Sequence, residues 1–372
     1  MSGIFSDFTL RTVAMGAAFL GITSGALGSF AVLRRQSLLG DSISHASLPG
    51  IVLAFILIGT KSSLVLLIGA AIAGWIATLF ILSIIRNTRI SSDGAQGVVL
   101  SVFFGLGLML LTFVQSKPNA SQAGLDKYLF GQAAALLPED VRTAAIIGVI
   151  TIICMIFFWK EFKLMSFDPV YGESLGFSAR LTDIMITALI VISIVTGLQT
   201  VGVILMSSML IAPAASARQW TNKLGAMVTL SAIFGAISGV LGATLSSLIS
   251  NLPTGPTIIL CLTSIFIISL LFAPDRGLIS KLVKRYRNRF LFSLQKLLLD
   301  LYYLEEKHKG TSHAHDMKTI SLIRNRQGNI HIALKTLQSR GWAEQTTAGL
   351  WKLTAEGHTE AIKIQNGGRN DS

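Results

Sequence analysis

Apolar runs long enough to cross a lipid bilayer fill the first 275 residues and constrain the fold more than any other feature. A helix needs about 20 apolar residues to span the hydrocarbon core. The candidate spans are 10–33, 38–60, 62–85, 94–115, 143–159, 181–199, 200–217, 224–250 and 256–273. The two runs that meet near residue 200 could also form one span and a half-helix. The sequence therefore predicts an all-α polytopic membrane protein with eight or nine transmembrane helices.

Composition divides the chain into two parts. Charged residues make up 13% of the chain, about half the usual globular share. Residues 1–275 carry 14 Lys and Arg against 11 Asp and Glu, whereas residues 276–372 carry 17 against 8. We therefore expect a transmembrane domain over 1–275, a basic juxtamembrane linker over 276–289, and a small soluble domain with a disordered end over 290–372.

Basic residues in short loops predict the orientation, because Lys and Arg accumulate on the cytoplasmic side of a membrane. The residues that mark this side are Arg34 with Arg35, Arg86 with Arg89, Lys160 with Lys163, Arg218 with Lys223, and six basic residues in 276–289. Nine crossings satisfy these assignments with the N-terminus outside, whereas eight crossings violate one of them. The C-terminus is expected in the cytoplasm on either count.

An aspartate and a histidine interrupt the second apolar run. Asp41 and His45 are four residues apart, so on a helix they share one face. Ionisable side chains inside membrane spans are costly and usually face a cavity or a transport path. A carboxylate and an imidazole together suit Mn²⁺, Fe²⁺ or Zn²⁺, and two copies across a dimer would supply four ligands. The alternative is an Asp–His hydrogen bond that only fixes the start of a helix.

Small residues recur at helical spacing in two of the runs. Gly235, Gly239 and Ala243 follow one another at intervals of four, a spacing that permits close helix packing. We expect ordinary packing inside one bundle here, and a contact between two chains is the alternative.

Four ordered motifs resemble one transporter family. The stretch GDSISHASLPGIVLAF, which holds Asp41 and His45, resembles the second-span signature of the ABC-transporter permeases that import manganese, zinc and iron. Three further stretches, 32–35 (VLRR), 166–176 (SFDPVYGESLG) and 210–218 (LIAPAASAR), resemble other parts of that family. The likeness covers about residues 8–275. Val170 and Gly172 depart from the family pattern, which usually has Glu and Ala there, and this affects only the detail of the ATPase contact.

The resemblance implies a function and a set of partners. It implies a permease subunit that moves a divalent transition metal into the cytoplasm of a bacterium across its inner or plasma membrane. Mn²⁺ is favoured over Zn²⁺ or Fe²⁺, because Pro49 after the histidine looks like the manganese and iron branch. The implied partners are a second permease chain, a cytoplasmic pair of ATP-binding subunits and an extracytoplasmic metal-binding protein. The metal is cargo, so no permanent cofactor is expected.

The chain itself is not expected to be an enzyme. It has no G-x-x-x-x-G-K-[ST] phosphate-binding loop, so ATP hydrolysis falls to a partner. The resemblance assigns contact with that partner to the residues Phe167, Asp168, Pro169, Leu175 and Gly176. Asp168 and Pro169 suit the N-cap and first position of a short coupling helix, and an ordinary turn is the alternative. The single histidine in the apolar half cannot supply the three ligands of a catalytic zinc, and no clear inverted repeat indicates a secondary transporter.

The last part of the chain predicts a small α/β domain. We expect an amphipathic helix at Phe290–Glu306, helices near 316–325 and 329–340, a hairpin around 347–349 and a final helix at Ala355–Gln365. The run 334–362 is similar to the recognition helix and wing of metal-dependent repressors of the diphtheria-toxin-repressor kind. This likeness implies a winged-helix-like domain.

The sequence leaves the role of this domain open. Its basic residues are too few for strong phosphate contact, so a structural or regulatory role is favoured and nucleic-acid binding is not expected. A membrane-anchored, metal-responsive regulator acting through the winged helix is the alternative function for the whole chain. His308, His313 and His315 form a candidate regulatory metal site, although histidines on a loop are more often only solvated.

Overall fold

The computed structural model of the chain describes residues 8–36, 38–59, 62–116, 138–249, 252–274, 276–307, 315–316, 320, 330–346 and 349–367. The chain divides into two compact units, the first ending at Leu278 and the second beginning at Ile279.

The first unit is helical throughout its described residues. Its helices are α1 (Phe8–Leu33), α2 (Leu39–Ile58), α3 (Ser63–Asn87), α4 (Ser92–Gln115), α5 (Pro138–Phe157), α6 (Trp159–Phe167), α7 (Pro169–Ser174), α8 (Ala179–Val201), α9 (Val203–Trp220), α10 (Leu224–Leu248) and α11 (Thr254–Phe272). Among the described residues, eight of these are long and apolar enough to cross a membrane: α1 to α5, α8, α10 and α11. The prediction of a polytopic helical membrane protein is confirmed.

The difference between eight and nine spans lies at α8 and α9. Gly202 alone separates them, and its φ of 87° is a conformation that glycine adopts at little cost. The Gly202 N–H still donates to the Leu198 carbonyl at 3.0 Å, which closes α8 before the chain turns into α9. The α9 helix has 18 residues, with Pro213 inside it. The two apolar runs that meet near residue 200 therefore form two helices; α8 is among the eight candidate spans of the described residues, and α9 is not.

Glycines bring α1 and α10 into backbone contact. A Cβ added to Gly21 would overlap the carbonyl oxygen of Gly235, and a Cβ on Gly235 would overlap that of Gly21. One turn along, Gly239 lies against the backbone of Ala17. The small residues of α10 thus serve packing within one chain, the interpretation favoured by the sequence. Because both helices approach through backbone, each is buried without large side chains at the crossing.

The second unit has its own apolar core. It contains α12 (Leu278–Lys307), α13 (Ile330–Ser339), β1 (Ala343–Gln345), β2 (Trp351–Leu353) and α14 (Ala355–Gly367). The strands pair antiparallel, with Glu344 opposite Lys352, so the hairpin prediction is confirmed. The core includes Leu294, Leu298, Leu334, Leu337 and Trp351.

One feature of this unit differs from the sequence prediction, and two other predictions for it stay predictions. The basic stretch 276–289, expected as a linker, mostly lies in the first half of α12, which begins twelve residues before the expected Phe290. The apolar residues of this stretch recur at helical spacing, which predicts a helix. The linker was predicted instead from the abrupt rise in basic residues. The helix expected near 316–325 lies almost entirely outside the described residues. The described strands form one two-stranded hairpin, which does not by itself define a winged helix.

Candidate metal site and coupling segment

The second helix places Asp41 and His45 next to each other. Asp41 lies in the first turn of α2, and His45 lies one turn later. Their closest atoms, Asp41 Oδ1 and His45 Nε2, are 3.4 Å apart. This distance is longer than the 2.7–3.2 Å of a well-formed N–H···O hydrogen bond. The predicted pairing on one helix face is therefore present, but it is loose.

The imidazole of His45 is enclosed, whereas the carboxylate of Asp41 is not. The His45 side chain is 15% exposed, against 37% for the Asp41 side chain. The ring of His45 meets the ring of Phe104 on α4 edge-on, with centroids 4.5 Å apart. Its Nδ1 atom is buried and has no hydrogen-bond partner in the described part of the chain. An unpaired buried nitrogen is costly, so this atom needs an explanation.

Hydroxyl groups line the rest of this part of α2. The side chains of Ser42, Ser44 and Ser47 are fully buried, although serine is usually exposed. Ser44 and Ser47 donate to carbonyls of their own helix, at 2.7 and 2.8 Å. Ser42 Oγ instead crosses to α4 and donates to the backbone oxygen of Gln96 at 3.2 Å. These small polar residues keep the surroundings of Asp41 and His45 less apolar than the rest of the span.

In the described part of one chain, the candidate metal ligands at this place are one carboxylate and one imidazole. Among the described residues, no group of three His, Cys, Asp or Glu side chains lies close enough together to hold a metal ion. Divalent transition metals bound by nitrogen and oxygen take four or more ligands. The pair alone therefore could not hold such an ion firmly, as the sequence also indicated.

The segment between α6 and α8 forms the short helix α7. Asp168 is its N-cap and accepts the Tyr171 N–H at 3.0 Å, and Pro169 follows in the first turn. This part of the sequence prediction is confirmed. Gly176 has a φ of 89°, which ends the helix and is unfavourable for any residue with a Cβ. The apolar side chains exposed around the helix are Phe167, Val170, Tyr171, Leu175 and Phe177.

A charge cluster that the sequence interpretation missed lies close to this segment along the chain. Asp183, in α8, forms a short ion pair with Arg34 at the end of α1 and lies 3.8 Å from Arg86 near the end of α3. Arg34 is largely buried, and burial lowers the pKa of its guanidinium. An aspartate inside the apolar run 181–199 was the available signal, but its partners are about 100 and 150 residues away. One carboxylate thus joins three helices.

The histidines of the second unit do not come together in the described residues. His308 and His313 lie outside these residues, so the regulatory metal site with His315 stays a prediction. The backbone of His315 pairs with that of Trp351, with N–O distances of 2.8 and 2.9 Å. A different histidine, His358, contacts the buried Glu305: His358 Nε2 is 2.5 Å from Glu305 Oε2. The sequence interpretation did not single out either residue.

Comparison with known proteins agrees with these features. The model of the ABC 3 transport family matches residues 6–273. The zinc transport system membrane protein TroC of Treponema pallidum is 51% identical over 284 residues, 76% of this chain and 95% of TroC. The manganese transport system membrane protein MntC of Bacillus subtilis is 41% identical over 347 residues, 93% of this chain and 79% of MntC. PsaBC from Streptococcus pneumoniae, solved with a Fab, has a TM-score of 0.65 and 34% identity over 74% of this chain and 95% of that one.

The helical bundle, with eight candidate spans among the described residues, and the family match over residues 6–273 define a multi-pass permease of a bacterial membrane. The family match and the relatives complete the assignment: the chain belongs to the ABC 3 transport family and is a permease of an ABC metal importer. The match with B. subtilis MntC extends beyond the family domain into the second unit.

Proposed function

We propose that Asp41 and His45 form the transient site through which this permease passes Mn²⁺ into the cytoplasm. Two permease chains, identical or related, would bring together two carboxylates and two imidazoles around a central path. Such a site of nitrogen and oxygen ligands suits a divalent transition metal. Zn²⁺ and Fe²⁺ fit the same ligands, and relatives are named for both manganese and zinc.

The observation that carries this proposal is the state of the His45 ring. Within the described parts of the chain its Nδ1 is buried without a hydrogen-bond partner, and its Nε2 lies 3.4 Å from Asp41. A histidine that served structure alone would be expected to satisfy both nitrogens. A metal ion between His45 Nε2 and the Asp41 carboxylate would replace this long contact by two metal–ligand bonds.

Weak holding of the ion suits transport. A site must bind strongly enough to admit an ion and weakly enough to release it. Two ligands per chain allow release when the two chains move apart, because each half-site alone is too poor in ligands to retain the ion.

The exposed apolar side chains around α7 suit a groove on a cytoplasmic ATP-binding subunit. In this proposal Phe167, Asp168, Pro169, Leu175 and Gly176 transmit the closure of that subunit to α8, which follows directly. An extracytoplasmic binding protein delivers the metal from the other side, and the C-terminus is cytoplasmic. Catalysis of ATP hydrolysis belongs to the partner.

The test is metal uptake in cells that carry the complete importer. Asp41→Ala and His45→Ala should abolish uptake while the chain still assembles with its ATP-binding partner. Ser47→Ala is the matched control, because Ser47 is buried on the same helix and bonds only the Ile43 carbonyl. Normal uptake by both variants of the pair would overturn the transport role. Mass-resolved competition among manganese, iron and zinc in the same cells identifies the cargo.

The second unit is proposed as a regulatory module with the helix and hairpin order of a winged helix. The order α13, β1, β2, α14 supports this part of the proposal. A gel shift with residues 290–372 separates it from the alternative of a membrane-anchored DNA-binding regulator. We expect no shift at physiological salt, and a sequence-specific shift would favour the regulator.

A further inference from the structure

The first half of α12 is exposed on all sides. Every residue from 281 to 292 is exposed, whereas the following turns of the same helix bury Leu294, Leu297 and Leu298 in the core of the second unit. The exposed part includes large apolar side chains, among them Tyr286, which is 72% exposed. An isolated apolar face of this kind on a monomer marks a contact surface.

The exposed half is amphipathic. At 3.6 residues per turn, six apolar residues fall within an arc of about 140°. These are Leu278, Ile279, Leu282, Val283, Tyr286 and Phe290. Lys284 lies opposite the middle of this arc, with Lys281 and Arg287 on either side of it, and Arg285 lies just beyond the Leu278 edge. The last two apolar residues of the exposed half, Leu291 and Phe292, fall outside the arc. Arg289 falls near the edge of the apolar arc, where a long side chain can extend its charge sideways.

This half-helix cannot lie far from the membrane. The last apolar helix, α11, ends at Phe272, and α12 begins at Leu278. Six residue steps reach roughly 20 Å at most when fully extended. The connection is shorter than that, because the Gly277 N–H donates to the Ala273 carbonyl at 2.9 Å in a tight turn.

Charge decides among the possible occupants of the apolar face. The sequence has no Asp or Glu between Arg276 and Leu299. A second copy of the same helix would therefore meet only like charge, which opposes pairing along these turns. A nucleic acid would satisfy the basic side and leave the apolar side in water. An anionic lipid surface satisfies both, since the apolar side enters the headgroup boundary and the basic side meets the headgroups.

We propose that residues 278–292 form an interfacial helix that binds the anionic phospholipid leaflet next to the end of α11. The apolar arc lies in the headgroup boundary, and the lysines and arginines lie among the phosphates. The second unit then starts its own core at Leu294, immediately after the lipid-bound turns. This inference does not depend on the metal path, because none of its residues lies near Asp41 or His45 in the sequence.

The experiment is spin-label accessibility on the full chain in lipid nanodiscs. Cys154→Ala and Cys261→Ala remove the two native thiols, and single cysteines then replace each residue from 278 to 292 in turn. Nanodiscs contain phosphatidylcholine alone or phosphatidylcholine with phosphatidylglycerol. We expect oxygen accessibility to oscillate with the helical period, with maxima at Leu282→Cys, Val283→Cys and Tyr286→Cys. Nickel-chelate accessibility should peak at Lys281→Cys and Lys284→Cys, and the oscillation should be larger with phosphatidylglycerol.

A charge-reversal pair tests the electrostatic part. Lys281→Glu with Lys284→Glu should remove the effect of phosphatidylglycerol at a label on residue 286. Lys296→Glu with Lys335→Glu changes the charge equally at exposed lysines elsewhere in the second unit, and it should leave that effect intact. Uniformly high nickel accessibility along 278–292 would overturn the proposal. So would an oscillation that ignores lipid charge, or spin–spin broadening at residue 282, which would indicate a second copy as the occupant.

Discussion

Each unit of the chain contains a carboxylate next to a histidine, and the two pairs are held very differently. Glu305 is 4% exposed; its Oε1 accepts the Leu353 N–H at 2.9 Å, and its Oε2 lies 2.5 Å from His358 Nε2. Asp41 is more exposed and lies 3.4 Å from His45 Nε2. The same two functional groups are thus tightly bonded in one unit and loosely placed in the other.

The difference separates a pair that stabilises its unit from the pair for which we propose a transport role. Both oxygens of Glu305 are occupied, so a metal ion could bind there only by breaking bonds that hold β2 and α14 to α12. Taking a carboxylate out of water costs free energy, and the bonds to Leu353 and His358 offset that cost, so they matter for stability. Asp41 and His45 stabilise little in their own chain, since their mutual contact is long and the buried Nδ1 of His45 is unbonded in the described residues. Two ionisable residues that stabilise little in an apolar helix support the proposed transport role.

The largest expected effect comes from removing one charge at constant shape in each pair. Asp41→Asn should lower the initial rate of metal uptake by about 100-fold or more. Mutating a residue that only supports a metal ligand already costs about 10–100-fold. Its thermal unfolding should stay close to that of the unchanged chain, because little bonding is lost. Glu305→Gln should show the opposite pattern, with uptake largely kept and the second unit less stable. Uptake rates and unfolding midpoints of the two variants, measured side by side, check that one variant loses transport and the other loses stability.

The comparison fails if both variants lose stability equally or if Glu305→Gln alone stops uptake. In that case the second unit would take part in the transport cycle. Assembly with the ATP-binding partner must be verified for each variant, because an unassembled chain also shows no uptake.

The next effect is on the stability of the second unit. Glu305→Ala removes two hydrogen bonds of a buried carboxylate and should lower the free energy of unfolding of this unit by about 2–3 kcal/mol. Glu306→Ala is the matched control, since Glu306 is exposed on the same helix and should change it by no more than about 0.5 kcal/mol. Hydrogen exchange of the hairpin peptide that contains the Leu353 amide reports the change. Equal exchange in both variants would show that the pair is not structural.

Sequence distance explains which of these features could be predicted. Asp41 and His45 are one helical turn apart, so spacing alone placed them together, and the cap of α7 was likewise local. Glu305 and His358 are 53 residues apart, and only the packing of α14 on α12 joins them. The beginning of α12 was also predicted wrongly, because its basic residues indicated a linker although its apolar residues have helical spacing. Long-range pairs need the fold, which residue patterns restrict but do not determine.

A third carboxylate, Asp183, should contribute an intermediate amount to stability. Asp183 pairs with Arg34 and Arg86, and the Arg34 side chain is only 12% exposed. Asp183→Asn leaves that guanidinium without its carboxylate and should lower the stability of the first unit by about 1–2 kcal/mol, less than for a fully buried pair. The double variant Arg34→Gln with Asp183→Asn should recover part of the loss, and a double-mutant cycle of unfolding measures this coupling. Arg86→Gln should have a smaller effect, because its contact is longer and more exposed. Additive losses in the cycle would contradict a direct pair.

The smallest expected effect separates the geometry of a carboxylate from its charge. Asp168 caps α7 through one bond to the Tyr171 N–H, and asparagine caps helices about as well as aspartate. Asp168→Asn should therefore leave uptake close to normal. Asp168→Ala loses the cap, at about 1 kcal/mol, and should slow uptake by up to about fivefold if the formed helix is what the ATP-binding subunit recognises. If both variants slow uptake equally, the charge itself contacts the partner, and Asp168 belongs with Asp41 as a functional carboxylate. Because α7 has only six residues, the loss of one cap bond should be visible in the exchange rate of the Tyr171 amide. That measurement identifies cap loss independently of transport.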